Sequence, residues 1–175
     1  FNEDCIAVMK RYPDKFFNLA IVDPPYGVRD KWKTGGVSKH TRFDTDRKMA
    51  EWDIAPDKSY FDELRRVSKN QIVWGGNYMT EFLPPSMGWI FWDKGQRDFS
   101  LADGELAFTS YQKALRVFDC PRAHANQETK IHPTQKPVAL YQWLLERYAQ
   151  PGHRVLEVSV GTGSNLPFVA EGVGA

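Results

Sequence analysis

The residues most suited to chemistry are the consecutive Asp23, Pro24, Pro25 and Tyr26, which directly follow an apolar run at residues 19–22. A carboxylate at Asp23 can accept a hydrogen bond from an exocyclic amine, and the Pro24 carbonyl, held by the stiff Pro-Pro pair, can accept a second. Tyr26 offers a flat face on which a base can stack. The tetrapeptide therefore favours a site that binds an aromatic amine and exposes its lone pair. A plain turn is the alternative, because Asp-Pro pairs also begin many loops.

Two further segments have the residue types of a cofactor site. Residues 161–164, Gly-Thr-Gly-Ser, follow a predicted strand, and glycines there would let a nucleotide-like cofactor approach the backbone. A simple strand-to-helix turn explains this pattern about as well. Residues 132–137, His-Pro-Thr-Gln-Lys-Pro, bring a hydroxyl, an amide and an ammonium group to a predicted helix start, whose free N–H groups suit a carboxylate. A polar loop that leads into a helix is the alternative.

Residues 27–48 are a basic segment in a chain whose net charge is only +1. The segment has seven basic residues against three acidic ones. Its position directly after the tetrapeptide suggests contact with nucleic-acid phosphates, and a solvated loop is the alternative. The residues that we expect to make this contact are Arg29, Lys31, Lys33, Lys39 and Arg42.

The composition argues against several classes of protein. Hydrophobic residues make up 42% and charged residues 26% of the chain, as in ordinary globular domains. The longest apolar runs, such as residues 89–92, have the length of a strand and not of a membrane span, and no secretion signal is visible. Two cysteines favour a reducing cytoplasm over a disulfide framework. The four histidines have no metal-ligand spacing, so no metal is expected.

Predicted strands and helices alternate along the chain, which indicates an open, largely parallel α/β sheet. We predict strands at 19–22, 71–74, 89–92, 105–109, 115–118 and 154–157, and helices over 60–67, from Pro137 onward and over 165–171. The segments 105–109 and 115–118 are expected to pair as a hairpin. In such sheets ligands bind beyond the carboxyl ends of the strands. The tetrapeptide and the glycine loop both follow strands, so they should meet at one edge.

The tetrapeptide at 23–26, the intact segment at 132–137 and the glycine loop, in this order, resemble the β-group of amino-methyltransferases. These enzymes methylate N6 of adenine or N4 of cytosine in DNA. The pair Asp4-Cys5 is similar to the family's opening motif, and the resemblance covers nearly the whole chain. It implies one Rossmann-like, S-adenosylmethionine-dependent catalytic domain over residues 1–175, whose sheet we expect to be incomplete at both chain ends. Aspartate at the head of the tetrapeptide implies adenine as the target.

The resemblance also implies the roles of individual residues. The catalytic residues would be Asp23, Pro24, Pro25 and Tyr26. The residues that would bind the cofactor are Asp4, His132, Thr134, Gln135, Lys136, Glu157, Gly161, Gly163 and Ser164. DNA would contact a basic loop over residues 27–56. A cytoplasmic, bacterial or phage protein of a restriction-modification type is implied, and the oligomeric state is not.

The sequence departs from the family in two segments. Glu157, Val158 and Ser159 stand where the family has Asp, Pro and Phe. Only the 13 residues 119–131, expected to form a short loop, occupy the place of a target-recognition region. Two alternatives therefore stay open: an RNA adenine methyltransferase, and a degenerate DNA-binding remnant without activity.

Overall fold

One six-stranded sheet organises the part of the chain that the computed structural model describes, which is residues 3–28, 53–98, 102–121 and 136–159. The elements are α1 (Cys5–Met9), β1 (Phe17–Asp23), α2 (Lys58–Val67), β2 (Ser68–Trp74), a 3-10 turn (Gly76–Tyr78), β3 (Trp89–Asp93), β4 (Gly104–Thr109), β5 (Arg116–Asp119), α3 (Val138–Tyr148) and β6 (Val155–Ser159). The strand order is β5-β3-β4-β2-β1-β6. Within the described ranges, no helix is long and apolar enough to cross a membrane.

The predicted open and largely parallel α/β sheet is confirmed. Strand β1 pairs in parallel with β2 on one side and with β6 on the other, and β3 pairs in parallel with β5. Strand β4 runs in the opposite direction, antiparallel to both β2 and β3. The apolar residues 19–22 at the centre of β1 are fully buried, as expected for a strand that is covered on both faces.

The predicted hairpin between residues 105–109 and 115–118 is wrong. Both segments are strands, but β4 lies between β2 and β3, while β5 pairs with the far side of β3. The central position buries Ala107 and Phe108 of β4, whereas Arg116 and Val117 of β5 are exposed. If β4 paired only with the exposed strand β5, its apolar residues would be less buried. The gain from burying them between β2 and β3 therefore outweighs the short separation of β4 and β5 in the sequence.

Helices cover the sheet on both faces. Leu19 and Ile21 of β1 share one buried cluster with the α3 residues Leu140 and Leu144. The alternate β1 residues Ala20 and Val22 belong to a second cluster, with the α2 residues Phe61 and Leu64. The twofold alternation of strand side chains thus divides the core into two layers, and each layer buries the apolar stripe of one helix.

Both long helices form where the sequence predicts them. Helix α2 begins after Asp57, whose carboxylate accepts hydrogen bonds from the backbone N–H groups of Ser59 and Tyr60 at 2.9 and 3.4 Å. Its predicted apolar positions Tyr60, Phe61, Leu64 and Val67 are all buried. Pro137 immediately precedes the first turn of α3, where its fixed φ angle is favourable.

The strand directions bring six strand ends to one edge, here called the site edge. The carboxyl ends of β1, β2, β3, β5 and β6 lie there together with the amino end of the reversed strand β4. Asp23 at the end of β1 is in register with Ser159 at the end of β6, and Asp93 of β3 is in register with Gly104 of β4. The tetrapeptide and the strand that leads to the glycine loop therefore end side by side, as predicted.

Candidate active site

Asp23 is the last residue of β1, and both of its carboxylate oxygens have partners. The Tyr26 hydroxyl donates a hydrogen bond to Oδ1 at 2.8 Å. The Lys136 ammonium, which precedes α3, lies 2.6 Å from Oδ2. The Asp23 side chain is 14% exposed and the Lys136 side chain 4% exposed. The carboxylate is therefore fixed at the site edge by two donors from different parts of the chain.

Four charged side chains of alternating sign form an ionic cluster: Asp23, Lys136, Glu105 and Lys94. Glu105, near the amino end of β4, lies 3.3 Å from Lys136 through Oε2 and 2.5 Å from Lys94 through Oε1. Burial alone would raise the pKa of Glu105, but the two ammonium groups outweigh it and bring this pKa to about 2. Burial likewise lowers the pKa of Lys136, and the negative charges of Asp23 and Glu105 raise it well above its ordinary value. Lys136 is thus charged at neutral pH and lies between two carboxylates.

Tyr26 is fixed through both its hydroxyl and its ring. The hydroxyl donates to Asp23 and accepts from Lys136 at 3.4 Å. Burial is the main cause that raises the pKa of Tyr26 well above its ordinary value, so the phenol is neutral and remains a donor. The ring stacks on Tyr78, with 5.2 Å between centroids and 21° between planes. Tyr78 itself is 51% exposed. The site edge therefore presents an exposed aromatic surface next to a carboxylate.

Gly75 shapes the site at the end of β2. Its φ of +67° is in the left-handed region, which glycine adopts without strain. A Cβ atom at this position would lie 2.2 Å from Cε1 of Tyr26, too close for any real contact. The glycine both ends the strand and makes room for the Tyr26 ring.

Asp53 fixes the backbone that follows the tetrapeptide. Its two carboxylate oxygens accept hydrogen bonds from the backbone N–H groups of Gly27 and Val28, at 2.8 and 2.9 Å. Gly27 has a φ of +66° and lies against Ala55. The carboxylate thus accepts hydrogen bonds from two backbone N–H groups that would otherwise bind water. This contact ties the two described ends of the predicted basic loop to each other.

A second polar region lies on the α2 face of the site edge. The Tyr60 hydroxyl is buried and has no hydrogen-bond partner among the described residues. Burial is the main cause that raises the pKa of Tyr60, so this phenol is neutral and remains a donor. Glu157 is opposite Ile21 in the β6–β1 register. A buried donor without a partner among the described residues suits the polar groups of a bound small molecule.

The structure brings together only part of the predicted site. Asp23 and Tyr26 are in contact with Lys136, while the Asp4 carboxylate caps α1 by accepting from the Ala7 N–H at 2.8 Å. Glu157 lies within β6, two residues before its end. The predicted Pro24 is buried and the predicted Pro25 is partly buried, between Asp23 and Tyr26 in the chain. The other predicted residues lie outside the described ranges: Arg29, Lys31, Lys33, Lys39, Arg42, His132, Thr134, Gln135, Gly161, Gly163 and Ser164, together with the predicted helix at 165–171.

Several residues of the site were not predicted from the sequence. Glu105 and Lys94 complete the ionic cluster, Tyr78 stacks on Tyr26, and Asp53 holds the following backbone. Each contact depends on strand order or on a long-range approach, and no local pattern indicates it. Among the described residues, no group of three or more His, Cys, Asp or Glu side chains could hold a metal ion.

No protein-family model matches the sequence, and no curated protein matches it. The solved structures that resemble the chain include crystal structures of a protein from Thermus thermophilus that is provisionally called a DNA modification methylase. A selenomethionine derivative and a complex with S-adenosyl-L-methionine each have 10% identity and a TM-score of 0.48, over 98% of this chain and 94% of theirs. A third structure has 12% identity and a TM-score of 0.47, over 99% and 94%. Similarity at this level assigns neither family nor activity to this chain.

Proposed function

We propose that this chain is a DNA methyltransferase that transfers a methyl group from S-adenosylmethionine to N6 of adenine. One observation carries the proposal: the Asp23 carboxylate is fixed between Lys136 and the Tyr26 hydroxyl, beside the end of the strand that leads to the glycine loop. The resemblance of the tetrapeptide and of residues 132–137 to the amino-methyltransferases supports the same conclusion. The expected products are N6-methyladenine and S-adenosylhomocysteine, with release of one proton.

Asp23 is the proposed acceptor for the adenine amine. Each of its oxygens has one protein donor, and a carboxylate oxygen can accept two hydrogen bonds. One N–H of the amine can therefore bind the carboxylate, and the Pro24 carbonyl is the proposed acceptor for the other. Accepting both hydrogens exposes the nitrogen lone pair for attack. The fixed geometry supplies the orientation that such a transfer needs.

The aromatic surface of Tyr26 and Tyr78 is the proposed platform for a base taken out of the duplex. Stacking of a base on an aromatic side chain contributes about 1–3 kcal/mol. Tyr78 is half exposed and lies over Tyr26, so its own ring is accessible to a planar ligand. A base that reaches this platform would lie close to Asp23, because the Tyr26 hydroxyl is 2.8 Å from that carboxylate.

The described residues fit the proposed cofactor in one respect. The buried Tyr60 hydroxyl, which has no hydrogen-bond partner among the described residues, offers a donor to its polar groups. The other residues that would hold it are Asp4 and those of the segments 132–135 and 161–164. When bound, S-adenosylmethionine supplies a sulfonium methyl group that is already activated toward a nucleophile. The chain then has only to bind, orient and exclude water.

The proposal is tested by mapping modified bases. The full-length product of the gene is expressed in a host free of DNA methylation. The host DNA is then sequenced directly. We expect N6-methyladenine at a defined sequence with the wild-type protein. With Asp23→Asn we expect at least about a 10²-fold lower rate, the effect of losing a positioned polar group.

The matched control is Asp62→Asn, which changes an acid on the exposed side of α2 and should leave the rate unchanged. Modification of cytosine, or of RNA alone, would contradict the proposed substrate. A wild-type rate with Asp23→Asn would contradict the role of Asp23, and a lack of any modification by the wild-type protein would contradict the function itself.

A further inference from the structure

The strongest unassigned feature is the set of bonds around the Lys136 ammonium. An ammonium group has three N–H donors. Three acceptors surround Nζ in the described part of the chain: Asp23 Oδ2 at 2.6 Å, Glu105 Oε2 at 3.3 Å and the Tyr26 hydroxyl at 3.4 Å. With its side chain 4% exposed, Lys136 is also almost closed to solvent. The donors of this buried group are thus matched within the protein.

The surrounding charges disfavour a further anion at this position. Lys136 has two carboxylates within 3.3 Å, so the three groups together carry one net negative charge. Lys94 restores neutrality, but it contacts Glu105 and not Lys136. A cofactor carboxylate placed on Lys136 would have to displace Asp23 or Glu105 and would be repelled by the other one.

We propose that Lys136 is a positioning residue that fixes the Asp23 carboxylate, that Glu105 and Lys94 hold Lys136 in place, and that Lys136 does not bind the cofactor. The proposal rests on the proposed function and differs from the role that the family resemblance implies for Lys136. Glu105 is well suited to this task because β4 is reversed. The amino end of β4 reaches the site edge two strands away from Asp23. Lys136 therefore lies over β2, between Glu105 and Asp23.

The contact of Lys136 with Trp74 supports this arrangement. The ammonium lies 5.2 Å from the centre of the Trp74 ring at the end of β2, which fixes its height above the sheet. The Lys94 ammonium similarly lies 4.9 Å from the centre of the Trp92 ring. Each cation of the cluster is therefore located by one or two carboxylates and by one indole ring from the same layer of the core.

The test separates cofactor binding from methyl transfer. Lys136→Met, Glu105→Gln and the control Lys58→Met, an exposed lysine on α2, are compared with the wild-type protein. Affinity for S-adenosylmethionine is measured by calorimetry, and kcat by methyl transfer to DNA at saturating substrates. For Lys136→Met we expect kcat at least about 10²-fold lower with an affinity within about threefold of wild type. For Glu105→Gln we expect kcat about tenfold lower and the same unchanged affinity.

A third readout follows the cluster itself. Carbon-13 NMR of the side-chain carboxyl groups gives the titration midpoint of Glu105, whose pKa is about 2. In Lys136→Met this midpoint should rise toward the ordinary glutamate value, because one of the two ammonium groups that lower the pKa of Glu105 is lost. This measurement needs neither DNA nor cofactor. If Lys136→Met does not fold, the kcat and cofactor affinity of Glu105→Gln, which keeps the shape of the side chain, test the cluster instead.

The outcomes are distinct. A loss of affinity for S-adenosylmethionine of tenfold or more in Lys136→Met, with the wild-type protein active, would overturn this inference and leave the proposed function in place. An unchanged kcat in Glu105→Gln would overturn the role of Glu105. A wild-type protein that binds S-adenosylmethionine but modifies no adenine would overturn the proposed function, whereas the NMR midpoint would still report whether Lys136 holds Glu105.

Discussion

Replacing Gly75 with alanine should push Tyr26 away from Asp23. The new Cβ atom would lie 2.2 Å from Cε1 of Tyr26, and the backbone cannot easily give way because the Gly75 N–H donates to the Leu106 carbonyl at 2.9 Å. The ring must therefore move, and its hydroxyl loses the 2.8 Å bond to the carboxylate. Two effects should lower the free energy of unfolding. A residue with a side chain in a left-handed backbone conformation costs about 1–2 kcal/mol, and loss of the charged hydrogen bond costs about 1.5–3 kcal/mol.

Gly152 provides a matched control for this change. Its φ of +82° is also left-handed, but a Cβ atom there would have nothing within 4 Å. Gly152→Ala should therefore cost only the backbone strain, about 1–2 kcal/mol. The difference between the two variants, about 1.5–3 kcal/mol, isolates the Tyr26 contact. At about 2–4 °C per kcal/mol, Gly75→Ala should melt roughly 3–12 °C below Gly152→Ala.

Thermal unfolding followed by circular dichroism measures the loss of stability, and methyl transfer to DNA measures the loss of activity. We expect Gly75→Ala to lose at least about tenfold in rate, as the stacking platform and the position of Asp23 both change. Gly152→Ala should keep the wild-type rate. Equal melting temperatures for the two variants, with full activity in Gly75→Ala, would refute the reasoning that Tyr26 depends on the space left by Gly75.

Two further predictions concern other contacts of the described residues, and a third concerns the charge of the basic segment. Asp53→Ala removes the acceptor for two backbone N–H groups and should lower the free energy of unfolding by about 1–3 kcal/mol, and an unchanged urea midpoint would contradict it. The pKa of Glu105 is about 2 in the folded protein and ordinarily 4.5, so its stabilisation is complete above pH 4.5 and is lost as the pH falls toward 2. The wild-type melting temperature should therefore fall more steeply over this range than that of Glu105→Gln, and parallel curves would argue against the cluster. Neutralising Lys31, Lys33 and Lys39 together should reduce the salt dependence of DNA binding by up to about 3 units of slope, and an unchanged slope would make the basic segment a solvated surface.

Local pattern was sufficient to predict the strands, the two long helices and the position of the tetrapeptide. The run at 19–22 is continuously apolar because β1 is buried on both faces, and Tyr60, Phe61, Leu64 and Val67 follow the helical period because α2 buries one stripe. The end of β1 at Asp23 then follows from the Pro-Pro pair, which cannot donate to a neighbouring strand. These features depend on contacts within a few residues.

The order of the strands could not be predicted in the same way. The hairpin expected between 105–109 and 115–118 failed because β4 is inserted between β2 and β3, an arrangement set by burial across distant segments. The same insertion brings Glu105 to the site edge, so the missed residue and the wrong hairpin have one cause. The sequence did not predict the role of Tyr78, because its stacking on Tyr26 depends on the turn that follows Gly75. The positive φ angle of Gly75 sets the direction of this turn.

The ionic cluster also has a consequence for the folding kinetics of the protein. The hydrogen bond between Lys136 and Tyr26 closes a loop of 110 residues, so this contact has a high contact order and should form late. Until α3 docks, Asp23 and Glu105 would face each other over β2 without the cation between them, which penalises a partly assembled sheet. Native-state hydrogen exchange should accordingly find α3 and the ends of β1 and β4 opening as one cooperative unit.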